Sequence, residues 1–151
     1  MPEGLEEKIV VINVMAAADA RFEGTELLEA LEAQGLRFGD HGIFHRYVEG
    51  PRGKVPEFSV ANILKPGWFD IDSMEGFETP GVAMFMRLPG PFDAVDAYEE
   101  MLAAARGLAE RLGGHLLDGR RCDLTHQSIE HLREEMIEYR RRAQLAARQR
   151  Q

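Results

Sequence analysis

Apolar positions recur along the chain with two different periods, and the changes of period mark the elements. Residues 8–14, "KIVVINV", are β-branched and apolar on both parities, which predicts a strand in a sheet interior with at least one covered face. "GTELLEALEAQG" then places Leu27, Leu28 and Leu31 on one stripe between Gly24 and Gly35, an amphipathic helix with a glycine suited to end it. "HGIFHRYV", "EFSVANILK" and "GVAMFMRLP" alternate with period two, and their connections hold Gly, Pro, Asp and Ser, as in "GPRGKVP" and "PGWFDIDSMEGFETP". Asp93 is placed to cap a helix carrying Val95, Tyr98, Leu102, Ala105, Leu108 and Leu112, stopped by Gly113 and Gly114. "HLLD" and the residues near Arg121 suggest two short strands. A last helix after Thr125 carries Ile129, Leu132, Met136 and Tyr139 at spacings of three and four.

The order is strand, helix, three strands, helix, two short strands, helix, with no internal repeat. This is an α+β arrangement. Each helix has one apolar stripe, so the economical packing buries all three on one face of a mostly antiparallel sheet and leaves the other face open. Parity identifies that second face. Val10, Ile12 and Val14 form the bulky side of the first strand and leave Ile9, Val11 and Asn13; Val82, Met84, Met86 and Leu88 leave Ala83, Phe85 and Arg87. Phe58, Val60, Asn62 and Leu64 leave Ser59, Ala61, Ile63 and Lys65. If the odd positions of "HGIFHRYV" point the same way, His41 and Ile43 join them.

The resulting face is apolar at its middle and basic at its ends. Small residues such as Ala61 and Ala83 beside Ile63 and Phe85 describe a shallow trough, and exposed apolar area of this kind marks contact sites, for instance for an amphipathic helix. Burying about 200–300 Å2 of it gives roughly 5–8 kcal/mol before ordering costs, enough for a weak, reversible complex. Two other occupants are open at this point: the long loop around Trp68, or a second copy of the chain. Trp68 and Phe69 are expected to pack the corner after Gly67.

Composition narrows the function classes. The 151 residues carry 44% hydrophobic content and a formal net charge of -8, which suits one globular domain and argues against general affinity for nucleic acid or anionic lipid. Cys122 is the sole cysteine, so neither a disulfide framework nor a cysteine zinc site is expected. No apolar run approaches the ~20 residues of a spanning helix, and "MPEGLEEK" reads as no signal segment, so the chain as it stands is expected to be soluble. His45, Arg46, Asp40, Asp118 and Arg121 are the residues from which an active site might be imagined, yet no phosphate loop, nucleophile motif or telling carboxylate pair accompanies them. Asp40 reads as a turn residue and Asp118 as a strand end. His126 and His131 miss the i, i+4 spacing of a helical zinc site. Neither catalysis, metal nor cofactor is expected, and the run Arg140, Arg141 and Arg142 reads as a solvated helix end.

The segments "EGTELLEALEAQGLRFGD", "IFHR", "FSVANILKPGWFD", "TPGVAMFM" and "GGHLLDGRR", in this order, resemble the C-terminal domain of the ZipA family of bacterial cell-division proteins, over residues 8 to about 140. The resemblance implies a six-stranded antiparallel sheet backed by three helices, with the C-terminal peptide of the tubulin-like FtsZ lying in a shallow hydrophobic groove on the exposed face. Carried over residue by residue, the groove comprises Ile9, Val11, His41, Ile43, Ala61, Ile63, Lys65, Ala83, Phe85, Arg87 and Arg121. Arg121 comes from the resemblance alone. His41 stands where a methionine is usual and Arg87 where a glutamine is expected, which makes this trough wetter and more basic. The resemblance further implies a parent protein on the cytoplasmic side of the inner membrane at the division septum. An N-terminal helix and a Pro/Gln-rich linker outside these residues would anchor it there, holding FtsZ filaments by multivalent contact. The domain is assigned to residues 8–142, flanked by a disordered 1–7 and a frayed basic tail 143–151, and is expected to be a non-catalytic monomer that binds no nucleic acid. The alternative is a structural domain that homodimerises through the same face.

Overall fold

In the computed structural model, residues 5–149 are described. The main sheet takes strands β1 (Lys8–Ala16), β3 (Arg37–Phe38), β4 (Phe44–Gly50), β5 (Gly53–Asn62), β7 (Gly81–Leu88) and β8 (Gly114–Asp118), and its spatial order is β3-β4-β5-β7-β1-β8. Every pairing is antiparallel. A two-residue ribbon joins β2 (Phe22–Glu23) to β6 (Glu78–Thr79) beside it.

The helices start where side chains can accept from their first amides. Asp93 accepts from Val95 N at 2.8 Å and Asp96 N at 3.0 Å, opening α2 (Ala94–Leu112), and Gly113, at φ 73°, ends it. Glu23 accepts from the amides of Thr25 and Glu26 at the start of α1 (Gly24–Ala33). Before α3 (His126–Gln149), Thr125 and Ser128 exchange backbone-to-side-chain bonds in both directions.

α2 lies over β1, β5, β7 and β8, and both α1 and α3 pack against α2. The core forms between them: Val10, Ile12, Val14, Phe58, Val60, Val82, Met84 and Met86 from the sheet meet Tyr98, Met101, Leu102, Ala105 and Leu108 of α2. The Tyr98 hydroxyl donates to the carbonyl of Ile129 at 3.0 Å, so α2 and α3 share a hydrogen bond as well as apolar contact. The α+β class with its helices against one sheet face therefore holds, as does the parity that separates Val10, Ile12 and Val14 from Ile9 and Val11.

Several local expectations are corrected. The strand of "HGIFHRYV" begins only at Phe44, because Asp40–Gly42 form a 3-10 turn in which His41 (φ 65°) and Gly42 (φ 70°) take the left-handed conformation. β5 ends at Asn62, so Ile63 and Lys65 belong to the loop that follows. Of the two short strands expected, "HLLD" forms within β8, whereas the residues near Arg121 give only a single bridge between Leu117 and Asp123. Phe69 is buried against Phe44 and Phe77 as expected, but Trp68 is 55% exposed. Leu5 is buried and the carbonyl of Glu6 accepts from the Tyr139 hydroxyl at 2.9 Å, while α3 continues to Gln149 with Ala146 buried. Arg140 to Arg142 consequently lie inside a helix, paired with Asp93 and Glu138, rather than at its end. Residues 1–4, 150 and 151 of the two flanking segments lie outside the described residues.

Candidate functional site

The register of the sheet fixes which side chains stand together on the face away from the helices. Val11 pairs with Phe85 and Phe85 with Ser59, which in turn pairs with His45, so these side chains form one row across β1, β7, β5 and β4. The next row is Leu117, Asn13, Ala83 and Ala61. Ile43 precedes Phe44, whose partner is Val60, and so stands beside Ala61. Ile63 extends this surface by one rung, since its amide donates to the carbonyl of Gly81 at 3.1 Å. On the opposite side of the Phe85 row, Ile9 pairs with Arg87.

Burial separates this face from the core behind it. Val11, Ile43, Ala61, Ile63, Ala83 and Phe85 are half-buried, Ile9 is 55% exposed, and the intervening Val10, Ile12, Met84 and Met86 are buried. Six of the expected residues therefore make one contiguous apolar floor of graded exposure, with Ile9 at its margin. Arg87 is exposed, and its guanidinium carbon lies 5.9 Å from the centre of the Phe85 ring, over the floor. Lys65 is exposed in the loop beyond Ile63.

Two expected residues are placed differently. His41 sits in the turn before β4 and forms the rim of a hollow of about 470 Å3 that also contacts Ile43, His45, Ser59, Phe85 and Arg87. Arg121 is exposed in the tight turn after β8, at φ 64°, where the Asp118 carboxylate accepts from the amides of Arg120 and Cys122. Arg120, not Arg121, lines the hollow that reaches Ile9 and Val11.

Polar groups also stand in the floor. His45 and Ser59 are only 4% and 5% exposed, and the imidazole Nδ1 lies 2.7 Å from the Ser59 hydroxyl while Nε2 lies 2.8 Å from the carbonyl of Asp40. Asn13 is also buried; its amide donates to the carbonyl of Asp118 at 2.9 Å, and its Oδ1 has no partner. Ser59 shares the parity of Ala61, so the pattern contained it, whereas the burial of His45 depends on the turn folding over it. The turn approaches Gly39 closely as well: a Cβ there would lie 2.7 Å from the Tyr47 hydroxyl, at the end of its side chain, and in ordinary contact with the His45 ring at 3.6 Å. Trp68, exposed beside Gly42, adds an aromatic edge near Ile43 that was expected to be packed away.

The exposed charges around the floor include Lys65, Arg87, Arg120 and Arg121, in a chain whose overall charge is -8. Among the described residues there is no group of acidic, histidine and cysteine side chains arranged to hold a metal ion, and no helix long and apolar enough to cross a membrane. What the arrangement offers is a shallow apolar surface with a cationic margin, able to seat a short amphipathic or acidic segment.

Comparison with known proteins bears on this surface. Residues 8–135 match the family model described as ZipA, C-terminal FtsZ-binding domain. The chain is 47% identical over 136 residues to the cell division protein ZipA of Ectopseudomonas mendocina (strain ymp), covering 90% of this chain and 50% of that protein. It is 44% identical over 137 residues to the ZipA of Pseudomonas fluorescens (strain Pf0-1), covering 91% and 48%. For Pseudomonas aeruginosa (strain LESB58) the figures are 43% over 137 residues, 91% and 47%. The chain thus spans about half the length of these curated relatives. A match over this much of the sequence, on a six-stranded sheet with one uncovered face, shows that the chain belongs to the ZipA C-terminal domain family of cell-division proteins.

Proposed function

We propose that this domain binds the C-terminal tail of FtsZ, without catalysis, in the trough formed by Val11, Ile43, Ala61, Ile63, Ala83 and Phe85. Ile9 lies at its margin, and Lys65 and Arg87 meet acidic or carbonyl groups of the peptide. The observation that carries the reading is the graded burial of this face: its apolar residues are half-buried and contiguous, while Met84 and Met86 between them are fully packed. The description of the matched family names FtsZ as the ligand.

In this reading Phe85, the largest side chain of the floor, and Ile63, at its end beside the exposed Lys65, are the anchors, and the two alanines between them leave room for the partner's apolar residues. The parent protein would hold FtsZ filaments at the cytoplasmic face of the inner membrane, at the septum, through segments outside this chain. A polymer offers many tails, so modest single-site affinity suffices when the effective concentration is high.

The test is calorimetric titration of the domain with the FtsZ C-terminal peptide from the same bacterium, together with amide shift mapping by NMR. Saturable binding with shifts on β1, β5 and β7 supports the reading. Absence of binding, with a mass in sedimentation that rises with concentration, replaces it by self-association through the same face.

A further inference from the structure

β1 has strand partners on both sides over only part of its length. Against β7 its ladder runs from Lys8 to Met15, but against β8 only from Ile12 to Ala16. β8 stops because the chain turns at Asp118: the Asp118 amide donates to the carbonyl of Cys122 at 2.7 Å, the Arg121 amide donates to the carbonyl of Asp118 at 2.9 Å, and Arg121 takes φ 64°. The returning residues cover the outer side of β8, through the bridge of Leu117 with Asp123 and the bond from the Leu124 amide to the Leu116 carbonyl at 3.0 Å. Residues 8–11 of β1 lie beyond that cover. Beside them is a hollow of about 510 Å3, bounded by Gly119 and Arg120 at one end and by His131 and Leu132 of α3 behind.

The ladder also fixes which backbone groups look into this hollow. The Ala16 amide donates to the carbonyl of Pro80, on the β7 side, at 2.8 Å. Alternation along β1 therefore turns the N–H groups of Val14, Ile12 and Val10 toward β7 and those of Val11 and Ile9 the other way. Ile9 directs both its N–H and its C=O to the hollow, and Val11 its N–H. A strand edge of this kind is a template for an extended segment, held by main-chain hydrogen bonds.

We infer that an extended stretch of the FtsZ tail, adjoining the part in the trough, adds to the open edge of β1 as a further strand. The inference rests on the proposed peptide-binding reading. Continuity supports this occupant: Ile9 and Val11 belong to the trough by their side chains and to the edge by their backbone, so a chain leaving the trough across Val11 meets these groups next. Its alternate side chains would stand beside Ile9 and Val11 on one face and over Leu132 on the other. Charge orients it. At the Lys8 end Glu135 lies 3.6 Å from Lys8 Nζ and 3.4 Å from the His131 ring, and Glu6, Glu7, Glu134 and Glu138 line the adjoining hollow. At the Val11 end the Asp118 carboxylate already accepts from two amides, and Arg120 is exposed beside Gly119. An acidic residue of the segment therefore belongs at the Val11 end. A second copy paired edge to edge would set the glutamates of two α3 helices against each other, which opposes that occupant.

The experiment follows amide exchange in the wild-type domain by NMR, free and saturated with the FtsZ C-terminal peptide from the same bacterium. A parallel series of peptides carries an N-methyl group on each residue in turn. The Ile9 and Val11 amides should exchange rapidly in the free domain and about tenfold or more slower in the complex, whereas Val10 and Ile12, bonded to β7 in both, should change little. In the stretch outside the trough, alternate N-methyl positions should each weaken binding about tenfold, with the positions between them neutral. Arg120→Gln should weaken the parent peptide about threefold, and a peptide whose acidic residue there is replaced by its amide should not sense the change. Because exchange and the peptide series use the unaltered protein, these results do not depend on a variant folding. Ile9 and Val11 amides that exchange as fast in the complex as in the free domain, or an N-methyl series without the alternation, overturn the added strand and leave the trough standing. Protection of these amides in the free domain that rises with its concentration, together with its sedimenting mass, also overturns it, in favour of a second copy. Absence of any binding overturns the trough, and the added strand with it.

Discussion

The carboxyl groups of Glu57, on the bulge of β5, and Glu100, on α2, interact directly across the boundary between sheet and helix. Glu57 is buried and its Oε1 has no partner, while the Arg46 guanidinium lies 3.3 Å from the Glu100 carboxylate. Burial first, and then the hydrogen bond and charge of Glu100, push the Glu57 carboxyl up to about 7, against the pull of Arg46.

A pH dependence of stability follows. The folded-state value lies above that of an unfolded glutamic acid, so the protonated carboxyl stabilises the fold. This contribution is complete below about pH 4.5 and is lost as the pH rises through about 7. The loss is on the order of 2–3 kcal/mol. Thermal melts from pH 5.5 to 8.5 should show stability falling over this range, and Glu57→Gln should flatten the fall and be the more stable protein at pH 8.5. An unchanged slope in the variant would remove Glu57 as its cause.

Met84 and Phe85 are neighbours in β7 with opposite fates, and they give the sharpest contrast between core and trough. Met84 is fully buried, so Met84→Ala should cost about 2–5 kcal/mol of stability. Phe85 is half-buried on the other face, so Phe85→Ala should weaken FtsZ-peptide binding by about 1–3 kcal/mol while stability changes much less. Denaturant melts and calorimetry on the two variants measure both effects. Equal peptide affinity for Phe85→Ala and wild type would take Phe85 out of the site.

The two periodicities made the long elements legible because burial acts on every residue of β1, β7 and α2 in the same sense. The three two-residue strands β2, β3 and β6 have no period to read. His41 was placed on a strand by parity, which presumes extended backbone; glycines at 39 and 42 around "DH" already signalled a turn, and turn chemistry wins over alternation there. Lys65 was similarly carried past the end of β5, although "KPG" marks a break. Toward the end of α3, Met136, Tyr139, Ala143 and Ala146 continue one stripe, which the arginine run obscures in the sequence. The hollow beside Ser59 was beyond sequence reasoning, since it lies where β4 and β5 slip register and alternation alone does not place a slip.

Gly24 is the first residue of α1 and shows how closely the helix approaches the loop before β6. Its amide donates to the carbonyl of Phe77 at 2.7 Å, and a Cβ would collide with the carbonyl of Met74 and come within 3.1 Å of the Phe77 Cβ. Backbone on both sides has little room to yield. Gly24→Ala should therefore destabilise by about 1–3 kcal/mol despite alanine's better helix propensity, whereas Thr25→Ala, exposed one residue later, should stay within about 0.5 kcal/mol. Urea melts distinguish the two outcomes, and a Gly24→Ala protein as stable as wild type would mean that the loop moves freely.

The family match ends at residue 135, but α3 runs on for fourteen residues to Gln149, and these later turns are packed rather than frayed. Tyr139 and Ala146 are buried and Ala143 is half-buried; Tyr139 and Ala143 stand with Leu88, Phe92 and Ala94 at the end of β7 and the start of α2. Deleting residues 143–151 removes Ala143 from this contact together with the buried Ala146, and leaves the apolar side of Phe92 more exposed. At ~25 cal/mol per Å2, losing about 40–80 Å2 of apolar burial costs about 1–2 kcal/mol. The deletion should also spare the trough, because none of these residues lies on the uncovered face. Urea melts should show the midpoint falling while the FtsZ-peptide affinity stays constant; an unchanged midpoint would return this segment to the role of a solvated tail.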